Sequence, residues 1–138
     1  MTYSAEIEPL SEMLVLTPTG VYRGRVKKGV EMVLGHYAEQ VTPGMRTKPQ
    51  TKIRVVLVVG KDWIDEPTYR EAWVDDIKRY VSTWKDTFDV TCQEQVIPFE
   101  TEEYLSGWLL GELSSFFKGP GMRKAYVDLT SGLSLSNS

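Results

Sequence analysis

The chain has one cysteine, Cys92, and one histidine, His36, among 138 residues. A single thiol rules out an internal disulfide, and one thiol with one imidazole effectively excludes a zinc site built from His and Cys. No apolar run approaches the roughly 20 residues that a membrane-spanning helix needs. The opening Met1-Thr2-Tyr3-Ser4-Ala5-Glu6-Ile7-Glu8 lacks the basic and apolar regions of a secretory signal. The cytoplasm is therefore the expected compartment, with no membrane partner. Excess positive charge is also missing. A net charge of -3 gives no general attraction to nucleic acid, so direct DNA binding is not expected and any anion must meet a local basic cluster. No Gly-Lys-Ser or Gly-Lys-Thr marks a phosphate loop, and the three spaced glycines of a dinucleotide fingerprint are absent. No metal and no cofactor is expected.

What is present describes one ordinary globular domain spanning residues 1–138. Four Trp, seven Tyr and four Phe argue against disorder. From Met13 onward, short apolar runs alternate with stretches of helical spacing, the pattern of an α/β sheet. Met13 to Leu16 reads as a first strand. Val26, Val30, Val33, Leu34, Tyr37 and Val41 then share one helical face, stopped by Thr42-Pro43-Gly44. Ile53 to Val59, nearly all β-branched or Leu, has the composition of a central parallel strand covered on both faces. Pro67 suits a first helical turn, and Tyr69, Trp73, Ile77, Tyr80 and Trp84 mark a second amphipathic helix. A third strand falls within Phe88 to Phe99, its extent blurred by Gln93-Glu94-Gln95. Glu100 to Glu103 open a third helix that buries Leu105, Trp108, Leu109, Leu113 and Phe116. Lys124 to Leu129 form a fourth, buried strand.

Parallel strands joined by right-handed crossovers, winding outward and then returning beside the first, give the spatial order 3-2-1-4. The expected fold is a Rossmann-like three-layer α/β domain, a mostly parallel sheet with helices on both faces. Its switch point lies between strands one and four, where open α/β sheets bind ligands beyond their carboxyl ends. Both of those strands end in the same chemistry. The first runs into Thr17-Pro18-Thr19-Gly20, and the fourth carries Asp128 and runs into Thr130-Ser131-Gly132. Hydroxyls supply donors and acceptors, and glycine lets a ligand approach the backbone. A strand-to-helix turn in which Thr19 only caps explains the first ending about as well. For Asp128, a bond to a loop backbone is the simpler role than catalysis.

Arg23, Arg25, Lys27 and Lys28 crowd the start of the first helix, where cations oppose the macrodipole by about 0.3 to 1 kcal/mol each. An anion bound there reverses that sign. A solvated basic face competes with this reading. His36 reads as a surface residue, Trp73, Trp84 and Trp108 as core, and the pairs Asp75-Asp76 and Glu102-Glu103 as solvated faces. Trp63 either stacks on a base or staples the second helix.

Leu16-Thr17-Pro18-Thr19-Gly20 resembles the first strand end of the CARF domain, the CRISPR-associated Rossmann fold that senses cyclic oligoadenylates. Asp128-Leu129-Thr130-Ser131-Gly132 fits that family's fourth-strand motif position by position. The resemblance follows element order across residues 13–132. It implies a homodimeric sensor of a type III CRISPR antiviral system, with cyclic oligoadenylate held by Thr17, Pro18, Thr19, Gly20, Arg23, Arg25, Asp128, Thr130, Ser131, Gly132 and Ser134. Ser134 departs from the family, which often has Lys or Arg there. The family fold also continues further, so a shortened or minimal version is implied. Two alternatives stay open: a metal-independent ring nuclease, in which a ribose 2′-hydroxyl attacks the adjacent phosphate, and a Rossmann-like scaffold without ligand. Catalytic residues are not assigned.

Overall fold

The computed structural model describes residues 10–18, 23–41, 51–60, 67–98 and 102–128; of residues 18, 23–25, 60, 67–73 and 102 it describes the backbone alone. Strands and helices alternate as β1 (Glu12–Pro18), α1 (Arg23–Val41), β2 (Lys52–Gly60), α2 (Pro67–Ser82), β3 (Asp89–Ile97), α3 (Glu102–Phe117) and β4 (Arg123–Val127). The sheet has four strands in the order β3-β2-β1-β4, and every pairing is parallel. The fold is thus α/β and Rossmann-like, with β1 inside the sheet and β4 at one edge. Among the described residues, no helix is long and apolar enough to cross a membrane.

Side-chain alternation sorts β1 and β2 between two apolar layers. Met13 and Val15 of β1 and Ile53, Val55 and Leu57 of β2 meet Val26, Val30, Leu34, Tyr37 and Val41 of α1 and Val74, Ile77 and Val81 of α2. The alternate residues Leu14, Leu16, Val56 and Val58 meet Leu105 and Phe116 of α3, with Ile97 of β3. One helix covers the second layer, and coverage is thinner there. Trp108, Leu109 and Leu113 pack against that layer while only partly buried, and Leu110 and Phe117 stay exposed. Both interior strands are lined with β-branched residues and Leu because each of their faces is covered.

The amino ends of the strands are tied together. Ser11 N–H donates to the Met122 carbonyl at 2.8 Å, Lys52 N–H to Ser11 at 3.1 Å, and Asp89 N–H to Thr51 at 3.0 Å. Tyr37 reaches the same end, where its hydroxyl accepts from Leu10 N–H at 2.8 Å and shares a 2.7 Å hydrogen bond with the Thr51 hydroxyl. Arg123 donates to the Glu12 carboxylate at 2.9 Å and to the carbonyls of Phe116 at 3.1 Å and Pro120 at 2.9 Å. Between α3 and β4 the chain turns at Gly121, whose φ of 84° favours glycine.

Three expectations need correction. The fourth strand ends at Val127 rather than Leu129, so Asp128 follows the strand instead of lying inside it. Nor is that strand buried: Val127 is 37% exposed and Tyr126 half-buried, and among the described residues no strand pairs with the outer side of β4. Trp84 lies past the end of α2, in a turn closed by Phe88 N–H donating to the Trp84 carbonyl at 2.8 Å. It still packs against the core, with its ring centroid 5.8 Å from that of Phe88. The blurred third strand is a full strand, and Gln93, Glu94 and Gln95 lie within it. An edge position explains that polarity, since among the described residues only one side of β3 is paired.

Candidate functional site

The strand order brings the carboxyl ends of β1 and β4 together. Their register matches Leu16 with Val127, and just beyond it Asp128 N–H donates to the Leu16 carbonyl at 2.9 Å. Alternation turns Val15 and Thr17 of β1 to the α1 side of the sheet, together with Tyr126 and Asp128. A cavity of about 310 Å³ opens there, with Val15, Thr17, Tyr126, Val127 and Asp128 contributed by the sheet side and Gly29, Val30, Met32 and Val33 by α1. That volume falls at the lower end of the usual range for small-molecule sites. Its lining is mostly apolar.

Gly29 has a definite part in this geometry. A Cβ at position 29 would meet the Asp128 carboxylate, the far end of a side chain that could shift to make room, so glycine leaves that carboxylate its place beside α1. Glycine inside a helix costs roughly 1 kcal/mol relative to alanine.

Thr17 is fully buried, and among the described residues its hydroxyl has no hydrogen-bond partner. Such a group carries a desolvation penalty of about 1–3 kcal/mol. Among the described residues, the only other buried side-chain polar atom without a partner is Arg54 Nε. Whether Thr19 caps the turn after β1 lies outside the described residues.

The basic cluster is divided. Lys27 turns to α2 and forms a 2.8 Å ion pair with Asp76. Its hydrogen bond to Asp76 raises the Lys27 pKa above the ordinary lysine value, and the same bond lowers the Asp76 carboxyl below the ordinary carboxylate value. Asp76 is therefore a partner for α1 as well as part of a solvated face. Lys28 is exposed. The backbones of Arg23 and Arg25 lie in the first turn of α1, but their side chains fall outside the description. So do Thr19, Gly20, Thr130, Ser131, Gly132 and Ser134, and Trp63. Pro18 is the last residue of β1, in register with Val58 of β2.

Other candidates have local roles. His36 is exposed, with a 3.1 Å hydrogen bond to Gln40 one helical turn on. Burial pushes the Cys92 thiol up to about 11, which leaves little nucleophilic thiolate at neutral pH. Among the described residues, no group of three or more His, Cys, Asp or Glu side chains could hold a metal ion.

The sequence points to Thr17 and Asp128 at the switch point, and the two adjoin in the β1–β4 register. It does not point to Gly29, Met32 or Val33 as lining a cavity. Two signals could have pointed to α1: a glycine inside a helix, and Met32, a large apolar residue one position before Val33 on a helix otherwise cleanly divided. Compared with family models, curated proteins and solved structures, the chain matches none.

Proposed function

We propose that this domain is a ligand sensor: a homodimer that binds cyclic oligoadenylate at the carboxyl ends of β1 and β4, in a type III CRISPR antiviral system. The observation that carries this reading is the junction of Thr17 and Asp128 across the Leu16–Asp128 hydrogen bond, over a cavity of ligand size. An open parallel sheet binds ligands where its strand order reverses, and the order β3-β2-β1-β4 reverses between these two strands. The ligand class rests on the resemblance of Leu16 to Gly20 and Asp128 to Gly132 to the CARF motifs. Thr19, Gly20, Thr130, Ser131 and Gly132 then contact phosphate and ribose, and Arg23 and Arg25 add positive charge near the start of α1.

Isothermal titration calorimetry with cyclic tetra-adenylate and cyclic hexa-adenylate tests the proposal. Binding of either at one ring per two chains is the expected result. No heat with both would overturn it. Chromatography of the ligand after prolonged incubation separates a sensor from a ring nuclease, since a sensor returns the ring intact.

A further inference from the structure

The three helices do not present the same outer face. Exposed positions of α1 include Lys28, His36 and Glu39, and those of α2 include Asp75 and Arg79. α3 differs. From Tyr104 to Phe117 its only charged residue is Glu112, which is half-buried, and its exposed positions carry Leu110, 68% exposed, and Phe117, 53% exposed, among Tyr, Ser and Gly. A helix without a polar outer face is ordinarily covered on that face as well, and the inner face of α3 is already occupied by the layer of Leu14, Leu16, Val56 and Val58. Charge returns only at the two ends of the outer face. Exposed Glu103 stands in the first turn of α3, and exposed Lys118 directly follows its last residue.

We infer that the outer face of α3 docks on the α3 of a second copy of this chain, the two helices running antiparallel about a two-fold axis. Charge selects both the partner and the direction. Chains of net charge -3 repel one another and meet best across a surface whose charges are absent or balanced. Antiparallel pairing sets the Glu103 end of each helix beside the Lys118 end of the other, twice over by symmetry. Parallel pairing would set glutamate against glutamate. Along one helix the two charges lie about 22 Å apart at 1.5 Å per residue, too far to pair within one chain. Leu110 and Gly111 fall midway between the charged ends and therefore at the axis, with Gly107 and Ser114 on either side. A Cβ added at Gly107 or Gly111 would meet nothing in this chain, which leaves room there for the partner's larger side chains, Leu110 foremost. The 16 residues of α3 span only about 24 Å, a footprint below the roughly 800 Å² per partner of a standard interface, so the dimer is weak and reversible. This inference goes beyond the proposed function and does not rest on it. A crossover helix runs back from the carboxyl to the amino end of its sheet, so antiparallel α3 helices point the two switch points in opposite directions. The α3 contact is not one that brings two switch points to a single ring.

Sedimentation velocity of the whole, ligand-free chain from low to high micromolar concentration tests it. A reversible monomer–dimer equilibrium is the expected result. Leu110→Lys should weaken it about 10-fold or more, the scale of a residue at the centre of an interface, and thermal unfolding at low concentration should show the variant folded, because Leu110 is exposed. Glu103→Lys and Lys118→Glu alone should each weaken the dimer about 3-fold, the scale of exposed ion pairs. The two exchanges together should restore the natural dissociation constant, a recovery that antiparallel pairing alone provides. A monomer at every concentration would overturn the inference. So would a dimer indifferent to Leu110→Lys, or one that the double exchange fails to recover. Co-sedimentation with neutral phosphatidylcholine vesicles in place of self-association would also overturn it, since the face would then be covered by lipid. Failure here leaves the cyclic-ligand reading untouched, because no nucleotide enters the measurement.

Discussion

Thr51 and Thr17 are both fully buried, yet the two ends of the sheet treat them differently. At the amino end, the Thr51 hydroxyl pairs with Tyr37 at 2.7 Å, and Tyr37 in turn satisfies Leu10 N–H. At the carboxyl end, the Thr17 hydroxyl has no partner among the described residues, and its residue borders a cavity. The same side chain thus closes a network at one end and leaves one open at the other. Buried polar groups are normally satisfied, so the difference marks the carboxyl end as the place where the proposed binding reading can be tested.

Breaking the closed end should have the largest effect. Tyr37→Phe leaves Leu10 N–H and the Thr51 hydroxyl without their partner and should destabilise the fold by about 1–3 kcal/mol, read from the midpoint of urea unfolding. An unchanged midpoint would remove the distinction between the two ends. At the open end the sign reverses. Thr17→Val replaces an unpartnered hydroxyl with a methyl of similar shape and should stabilise the ligand-free protein by about 1 kcal/mol while weakening nucleotide binding. A destabilised variant would mean that the hydroxyl already contributes to the fold.

The smallest effect belongs to the ion pair between Lys27 and Asp76, which belongs to neither end and stays largely exposed. Asp76 has its folded pKa lowered, so its contribution is present above the unfolded carboxylate value and lost as pH falls through the folded one. Lys27 has its pKa raised, so its share is present below the unfolded lysine value and lost as pH rises through the folded one. Between those limits this pair leaves stability flat with pH, and solvent and salt screen it. Lys27→Met should barely move the unfolding midpoint at neutral pH in high salt. A large shift would mark the pair as a true tie between α1 and α2.

Much of the architecture was legible because periodicity records burial. Ile53 to Val59 could be read as an interior strand from its unbroken run of β-branched residues and Leu, and five of the six residues assigned to the inner face of α1 are fully buried, with Val33 half-buried at the cavity. The order 3-2-1-4 came from supposing that three strands wind outward by right-handed crossovers and the fourth returns beside the first, an arrangement that no single residue encodes. The extent of β4 was not legible. Tyr126 and Val127 look like core residues by type, yet among the described residues β4 has a neighbour on one side alone and both stay partly exposed. The cavity was hidden for a related reason. Val33, Met32 and Gly29 matter through the space between α1 and β4, and a pattern read along one helix does not report a distance across to another element.

The hydrogen bond from Asp128 to Leu16 joins the first described strand to the last. Closing so long a stretch of chain is slow relative to local pairing. The sheet from β1 to β3 can therefore assemble before β4 docks, and the cavity beside α1 is complete only once it has. The same asymmetry operates in the finished protein. β4 is held by one neighbour through five residues, so its amides should exchange with solvent deuterium sooner than those of β2, through local opening rather than global unfolding. A bound ligand that bridges β1 and β4 would slow that exchange, and occupancy would then be written in the lifetime of a single edge strand.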